Sequence, residues 1–188
     1  MPSLLLQPPA LEPLTLAAAK AYLRVEHNDE DESIAALIAA ARLLVEAQTR
    51  RALIAQSWRL VLDAWPPDGR IAVRPAPLQS LAAARVYDAG NVAHALDVQG
   101  FAADGAASSL NFVPWSMMQP QRAASGIELD VVCGYGDDAL AVPEALRQAI
   151  RILVAHWYDN RGLVPAGAAS ALPTSAAALI APYRMVSL

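Results

Sequence analysis

The sequence predicts an α+β chain in which a small antiparallel β unit lies between helical ends and a C-terminal tail follows. Three observations predict it. Apolar residues recur at helical spacing over residues 15–25, 30–50 and 143–159. From about residue 57 to residue 133 the apolar period falls from 3.6 towards two, with turn residues between the short runs. Beyond residue 161 the chain turns rich in Gly, Ala and Pro before one last apolar segment.

The elements follow in order. Pro2, Pro8, Pro9 and Pro13 predict that residues 1–13 form an extended arm without regular structure. Thr15 is placed to cap a short helix with Leu16, Ala19 and Leu23 on one side. Asp29 to Glu32 precede a longer helix whose Ile34, Leu37, Ile38, Ala41, Leu44 and Val45 share a face. Acidic residues at its start and Arg50 and Arg51 at its end complement the helix dipole.

The strand runs are Trp58 to Leu62, Ile71 to Arg74, Leu81 to Tyr87, Val92 to Val98, Leu110 to Val113 and Ile127 to Cys133. Trp65-Pro66-Pro67-Asp68-Gly69 and Asp88-Ala89-Gly90-Asn91 supply turn chemistry suited to hairpins. Gly100 to Ser125 otherwise carries no recognisable pattern. Gly134-Tyr135-Gly136 then ends a strand, and Pro143 opens a helix with Leu146, Ala149, Ile150, Leu153, Val154 and Trp157 on one face. Glu144, Arg147, Gln148 and Arg151 occupy the other face.

The organisation read from this is an arm over 1–13, a single domain over 14–161, and a linker with a docking segment over 162–188. A length of 188 residues fits one domain able to bury most of its core. Much of the 55% hydrophobic content is helix-favouring alanine, and the excess still points to subunit interfaces.

Composition excludes several functions. A net charge of −4 argues against a protein that grips phosphate backbones. No apolar run approaches the roughly 18 residues that span a bilayer, and Leu4-Leu5-Leu6 is too short for a signal peptide, so a soluble protein made in the cytoplasm without membrane contact is expected. The single cysteine, Cys133, permits no internal disulfide and reads as a core residue. His27, His94 and His156 fall in three different elements without ligand spacing, so no metal site is expected. The acidic run 29–32 has no second ligand cluster and reads as a solvated helix start. The Gly-x-Gly at 134–136 lacks the third glycine of a dinucleotide site and the Gly-Lys-Thr of a phosphate loop, so it is a turn and no cofactor is expected. Trp58, Trp65, Trp115 and Trp157 are too dispersed to stack on single strands and read as core or interface anchors.

Two stretches resemble a known family. The first runs from Gly134-Tyr135-Gly136 through Val142-Pro143-Glu144-Ala145-Leu146 to Ala155-His156-Trp157-Tyr158-Asp159-Asn160-Arg161. The second is Leu14-Thr15-Leu16-Ala17-Ala18-Ala19-Lys20-Ala21-Tyr22-Leu23-Arg24-Val25, followed by Asp29-Glu30-Asp31-Glu32 and a helix ending in Thr49-Arg50-Arg51-Ala52-Leu53. In order and spacing they resemble the head-tail connector (adaptor) proteins of tailed bacteriophages and gene transfer agents.

The resemblance implies a helical core, a connector-like bundle carrying the inserted β unit. It implies a homo-oligomeric ring of about twelve copies, matched to the portal in symmetry. The partners would be the portal protein on one side and a stopper or tail-completion protein on the other, with DNA crossing the lumen unbound. The expected location is the neck of a virion or gene transfer agent particle. In such families the C-terminal segment tends to contact the portal, which puts the docking residues at Leu179, Ile180, Tyr183, Arg184, Met185, Val186 and Leu188. Arg147 and Arg151, one helical turn apart, are the candidates for a subunit interface. Fourteen basic residues with Lys20 as the one lysine suggest a high-GC genome, favouring a gene transfer agent or prophage.

Catalytic residues are not expected. The alternative from another class is a small phage or host hydrolase using His156, with Cys133 and Asp159 as conceivable partners; a helical regulatory binding protein is a third reading.

Overall fold

The computed structural model describes residues 2–160 and 172–185. The chain divides into two compact units, each assembled from two separate segments: residues 1–10 with 55–135, and residues 11–54 with 136–188.

The first unit is built on two β-sheets. A five-stranded antiparallel sheet contains β1 (Ser3–Gln7), β2 (Gln56–Leu62), β4 (Leu78–Tyr87), β5 (Ala93–Leu96) and β8 (Ile127–Cys133) in the order β1-β2-β8-β4-β5. A three-stranded sheet contains β3 (Arg70–Ala72), β6 (Phe101–Asp104) and β7 (Ser109–Phe112) in the order β3-β7-β6. β8 is the centre of the larger sheet, pairing along its whole length with β2 and, across two bulges, with β4. Side chains alternate in direction along a strand, so Ile127, Leu129, Val131 and Cys133 all point one way, and all are fully buried. Leu60 of β2 and Ala84 of β4 flank Leu129 in register and are buried with it. In the smaller sheet Phe101 and Phe112 pack against Trp65, with ring centroids 5.0–5.9 Å apart.

The second unit is helical: α1 (Leu16–Leu23), α2 (Asp31–Thr49), α3 (Glu144–Asp159) and α4 (Thr174–Ile180). Thr15 caps α1, its Oγ1 accepting from the Ala18 amide at 3.2 Å. Arg24 and Arg50 end α1 and α2 in the left-handed conformation. Ile34, Ile38, Ala41 and Val45 form the buried stripe of α2, and Leu146, Ala149, Ile150, Leu153 and Val154 that of α3. Arg42 is buried among these helices, and Glu12 at 2.8 Å and Glu46 at 2.9 Å neutralise it.

Three expectations are corrected. The β part is no small insertion into a helical core: eight strands in two sheets make a unit of their own, so the helical-core architecture is overturned. The arm is not wholly irregular, because its proline-free window Ser3–Gln7 forms β1 on the edge of the larger sheet. Flanking prolines are tolerated at strand ends and on sheet edges, where an N–H is dispensable; the Pro2 carbonyl even accepts from the Val61 amide. The sequence sets residues 162–188 apart from the domain as a linker and docking segment. Instead α4 packs on α3 and α2, with Ala176 and Ile180 fully buried. The Met185 amide donates to the Thr49 carbonyl, and Arg51 Nε to the Tyr183 carbonyl at 2.9 Å. Arg51 thus serves α4 rather than the end of α2. Most of the expected linker, and Val186 and Leu188 beyond α4, lie outside the described residues.

This packing sets an expected outcome opposite to that of a loose tail. Ile180→Ala should destabilise by about 2–5 kcal/mol in chemical denaturation, as a buried truncation does, whereas Arg184→Ala should cost less than about 0.5 kcal/mol. Equal unfolding midpoints for the two variants would mean that α4 is not part of the folded core.

Candidate functional site

No catalytic constellation forms around the residues that the enzyme reading invoked. Cys133 is fully buried in β8, and loss of hydration pushes its thiol up to about 12, so it stays protonated at neutral pH. His156 is exposed on α3, and its backbone carbonyl accepts from Asn160 Nδ2 at 2.7 Å. Among the described residues there is no group of three His, Cys, Asp or Glu that could hold a metal ion. None of the described helices is long and apolar enough to cross a membrane. The acidic run serves the fold: Lys20 Nζ meets Asp31 at 2.6 Å and Asn28 at 2.7 Å, and the Tyr158 hydroxyl donates to Glu30.

Charge is instead concentrated on the outer face of the larger sheet. Asp130 lies opposite Arg59 in register and receives Nε at 2.7 Å and a second guanidinium nitrogen at 3.0 Å. From the other side Arg85 reaches the same carboxylate at 2.7 Å. Glu128, two residues along, accepts from Arg59 at 3.2 Å and from the Tyr87 hydroxyl. Burial pushes the Asp130 carboxyl up, but hydrogen bonds from Arg59 and Arg85 outweigh it and hold the group below its ordinary 3.8.

The sequence-derived interface candidates are occupied within their own helix. Glu144 binds both Arg147 and Arg151, and Gln148 adds a contact to Arg151 at 3.1 Å. Arg151 first, through its hydrogen bond, pulls the Glu144 carboxyl below its usual range. Arg147 Nε finds no acceptor among the described residues. Of the docking candidates, Ile180 is buried, Leu179, Tyr183 and Met185 are half-buried, and Arg184 is exposed, with its guanidinium on Gln48 at 2.8 Å.

Other exposed apolar side chains lie in the β unit. Leu4, Leu5 and Leu6 stand open on β1, and Trp115 is 88% exposed on the turn Pro114–Ser116. That turn is rigidly held: Trp65 Nε1 donates to the Met118 carbonyl at 2.9 Å, and Ser116 Oγ to the Val113 carbonyl at 2.8 Å. Gly69, at a φ of +69°, lies so close that a Cβ would sit 2.4 Å from the Phe112 carbonyl oxygen. Sequence reading named Trp115 as an anchor without distinguishing core from surface. Its neighbour Pro114, which opens the turn, is the available signal.

No protein-family model matches the sequence, and no curated protein does. Solved structures do, over essentially the whole chain. A chain from the neck of an empty gene transfer agent particle, computed with C6 symmetry, is similar at 27% identity and a TM-score of 0.84, covering 100% of this chain and 97% of that one. A chain from the virion of a native gene transfer agent particle is similar at 25% identity and a TM-score of 0.82, with the same coverage. One from the neck of a native particle, computed with C12 symmetry, is similar at 26% identity and a TM-score of 0.73, covering 97% of each chain. The likeness supports a head-tail connector-type virion protein of a gene transfer agent, with the particle neck as its place.

Two measurements check the chemistry. A thiol reagent at pH 8 should leave native Cys133 unmodified and label it only on unfolding; fast labelling of the folded protein would contradict its burial. Asp130→Asn should cost about 1–3 kcal/mol at pH 7, since it leaves two arginines short of a carboxylate. A carboxyl depressed in the folded state stabilises above its unfolded pKa and loses that contribution as pH falls through the folded value. The stability gap between wild type and Asp130→Asn should therefore be constant near neutrality and close below about pH 4.

Proposed function

We propose that this protein is a non-enzymatic adaptor that assembles as a ring in the neck of a gene transfer agent particle, between the portal and a stopper or tail protein, with DNA crossing the lumen without specific binding. The observation that carries this reading is the likeness, over the full chain, to neck chains whose structures were computed with sixfold and twelvefold symmetry. A ring of twelve copies accords with both symmetries. The buried, protonated Cys133 and the exposed His156 fit a structural role better than a hydrolytic one.

Docking to the portal falls on the outer side of the C-terminal segment: Leu179, Tyr183, Arg184 and Met185, since Ile180 faces its own subunit. Arg147 and Arg151, drawn together by Glu144, offer a charged helix face to a neighbouring copy.

Disrupting the gene in a producing cell should yield DNA-filled heads without tails, restored by the wild-type copy. Arg184→Glu combined with Met185→Asp should leave the melting temperature within about 2 °C while weakening portal capture roughly tenfold or more. Normal tailed particles from either strain would overturn the assignment.

A further inference from the structure

The larger sheet is open at both ends. β1 and β5 close the order β1-β2-β8-β4-β5, so among the described residues each has one strand neighbour and one free edge. Hydrogen-bonded and non-hydrogen-bonded pairs alternate along an antiparallel ladder, which fixes the groups that each edge presents. The Val61 amide donates to the Pro2 carbonyl, so Pro2 and Leu4 bond inward to β2, while the N–H and C=O of Ser3 and Leu5 point out of the sheet. At the far end the Asp88 amide donates to the Val92 carbonyl. By the same count His94 and Leu96 bond to β4, and Ala93 and Ala95 turn their main-chain groups outward.

Free edges are usually blunted by charge, above all by lysine. Neither strand has that protection: β1 reads Ser-Leu-Leu-Leu-Gln and β5 reads Ala-His-Ala-Leu. All five residues of β1 are exposed, Leu4 at 56% and Leu5 at 47%. Pro2 and Pro8 bracket β1 and hold it to five residues, against four in β5, so the two edges are of similar length. Their side chains also match. Leu4 shares the outer face with Arg59, and Ala93 and Ala95 share it with Tyr87 and Arg85, so a leucine edge would meet an alanine edge that leaves it room. On the other face, the one that buries Leu129 and Val131, Leu5 would continue the apolar row from Leu96.

We infer that β5 of one copy takes up β1 of a second copy as a parallel strand, joining the larger sheets of neighbouring copies edge to edge around the neck ring. The inference rests on the ring reading above. Every neighbouring pair in the sheet is antiparallel, so with five strands β1 and β5 run in the same direction. A rotation about an axis along the strands keeps that direction, which makes the joint parallel. The two edges themselves favour a second copy as occupant. A strand from a different protein, or a two-fold β1–β1 pair, would cover one edge and leave the other open; head-to-tail repetition covers both, and a closed ring leaves none.

The test crosslinks assembled particles carrying full-length Leu4→Cys together with Ala93→Cys, or with Ala95→Cys, using a short bismaleimide. Native Cys133 is buried and takes no part. Each copy then has one thiol on each edge, so the denatured protein should run as a ladder beyond the dimer, whereas each single variant should stay monomeric. In a second experiment, Leu5→Pro removes an outward N–H and no bond to β2, so it should leave the melting temperature within about 2 °C and reduce the ladder at least fivefold. Dimers from Leu4→Cys alone, crosslinks to another protein, no ladder in particles that contain the protein, or an undiminished ladder in folded Leu5→Pro would overturn the inference while leaving the ring intact. Absence of the protein from wild-type particles would instead overturn the ring reading itself.

Discussion

The β unit depends on one strand. β8 supplies four fully buried side chains to one face of the larger sheet and two carboxylates to the other, and its neighbours match both. On the buried side each Leu or Ile contributes about 1.5–3 kcal/mol by leaving water. On the outer side Asp130 lies between Arg59 and Arg85, which bind it from β2 and β4. A one-residue slip of β8 would turn its apolar side chains outward and its acids inward, so hydrophobic and ionic terms specify the same register.

The helical unit has an analogous anchor in Arg42. Held by Glu12 before α1 and by Glu46 one turn along α2, it ties the entering chain to the longest helix. Glu46 in turn accepts the Leu53 amide at 2.9 Å, so the same carboxylate fixes the exit from α2. Burying a charge is costly unless its partners are complete. Here two carboxylates meet one guanidinium, and the chain on both sides of α2 is positioned by the arrangement.

Much of this was legible in the sequence, and the failures have physical causes. α1, α2 and α3 form where the sequence shows helical spacing because periodicity, the Thr15 cap and the Pro143 start all act locally. β1 escaped because an edge strand exposed on both faces has no alternation to read; three consecutive leucines look like an arm. β6 escaped because Phe101 is its one buried residue. α4 gives little sign of its packing because alanine carries a weak hydrophobic signal, yet Ala176 and Ile180 are fully buried. The extent of the β unit is hidden because short strands, weak one by one, gain their stability from pairing across long sequence separations. As for the site, residue type identified Trp115 as an anchor, but its exposure follows from a turn whose geometry depends on Trp65 and Gly69, about fifty residues away.

The interleaving of the two units bears on how the chain acquires its structure. β1 is synthesised first, yet its partner β2 begins at residue 56, after α1 and α2 have been made. Those helices wait in turn for α3, which starts at residue 144, beyond the entire β unit. The β unit is complete only at residue 135 and the helical unit only after α4, and leucine-rich β1 must remain unpaired while the intervening residues emerge. Nascent chains of this kind are candidates for chaperone holding. A complete helical unit therefore implies a complete β unit, because a chain broken anywhere between residues 11 and 135 lacks part of both.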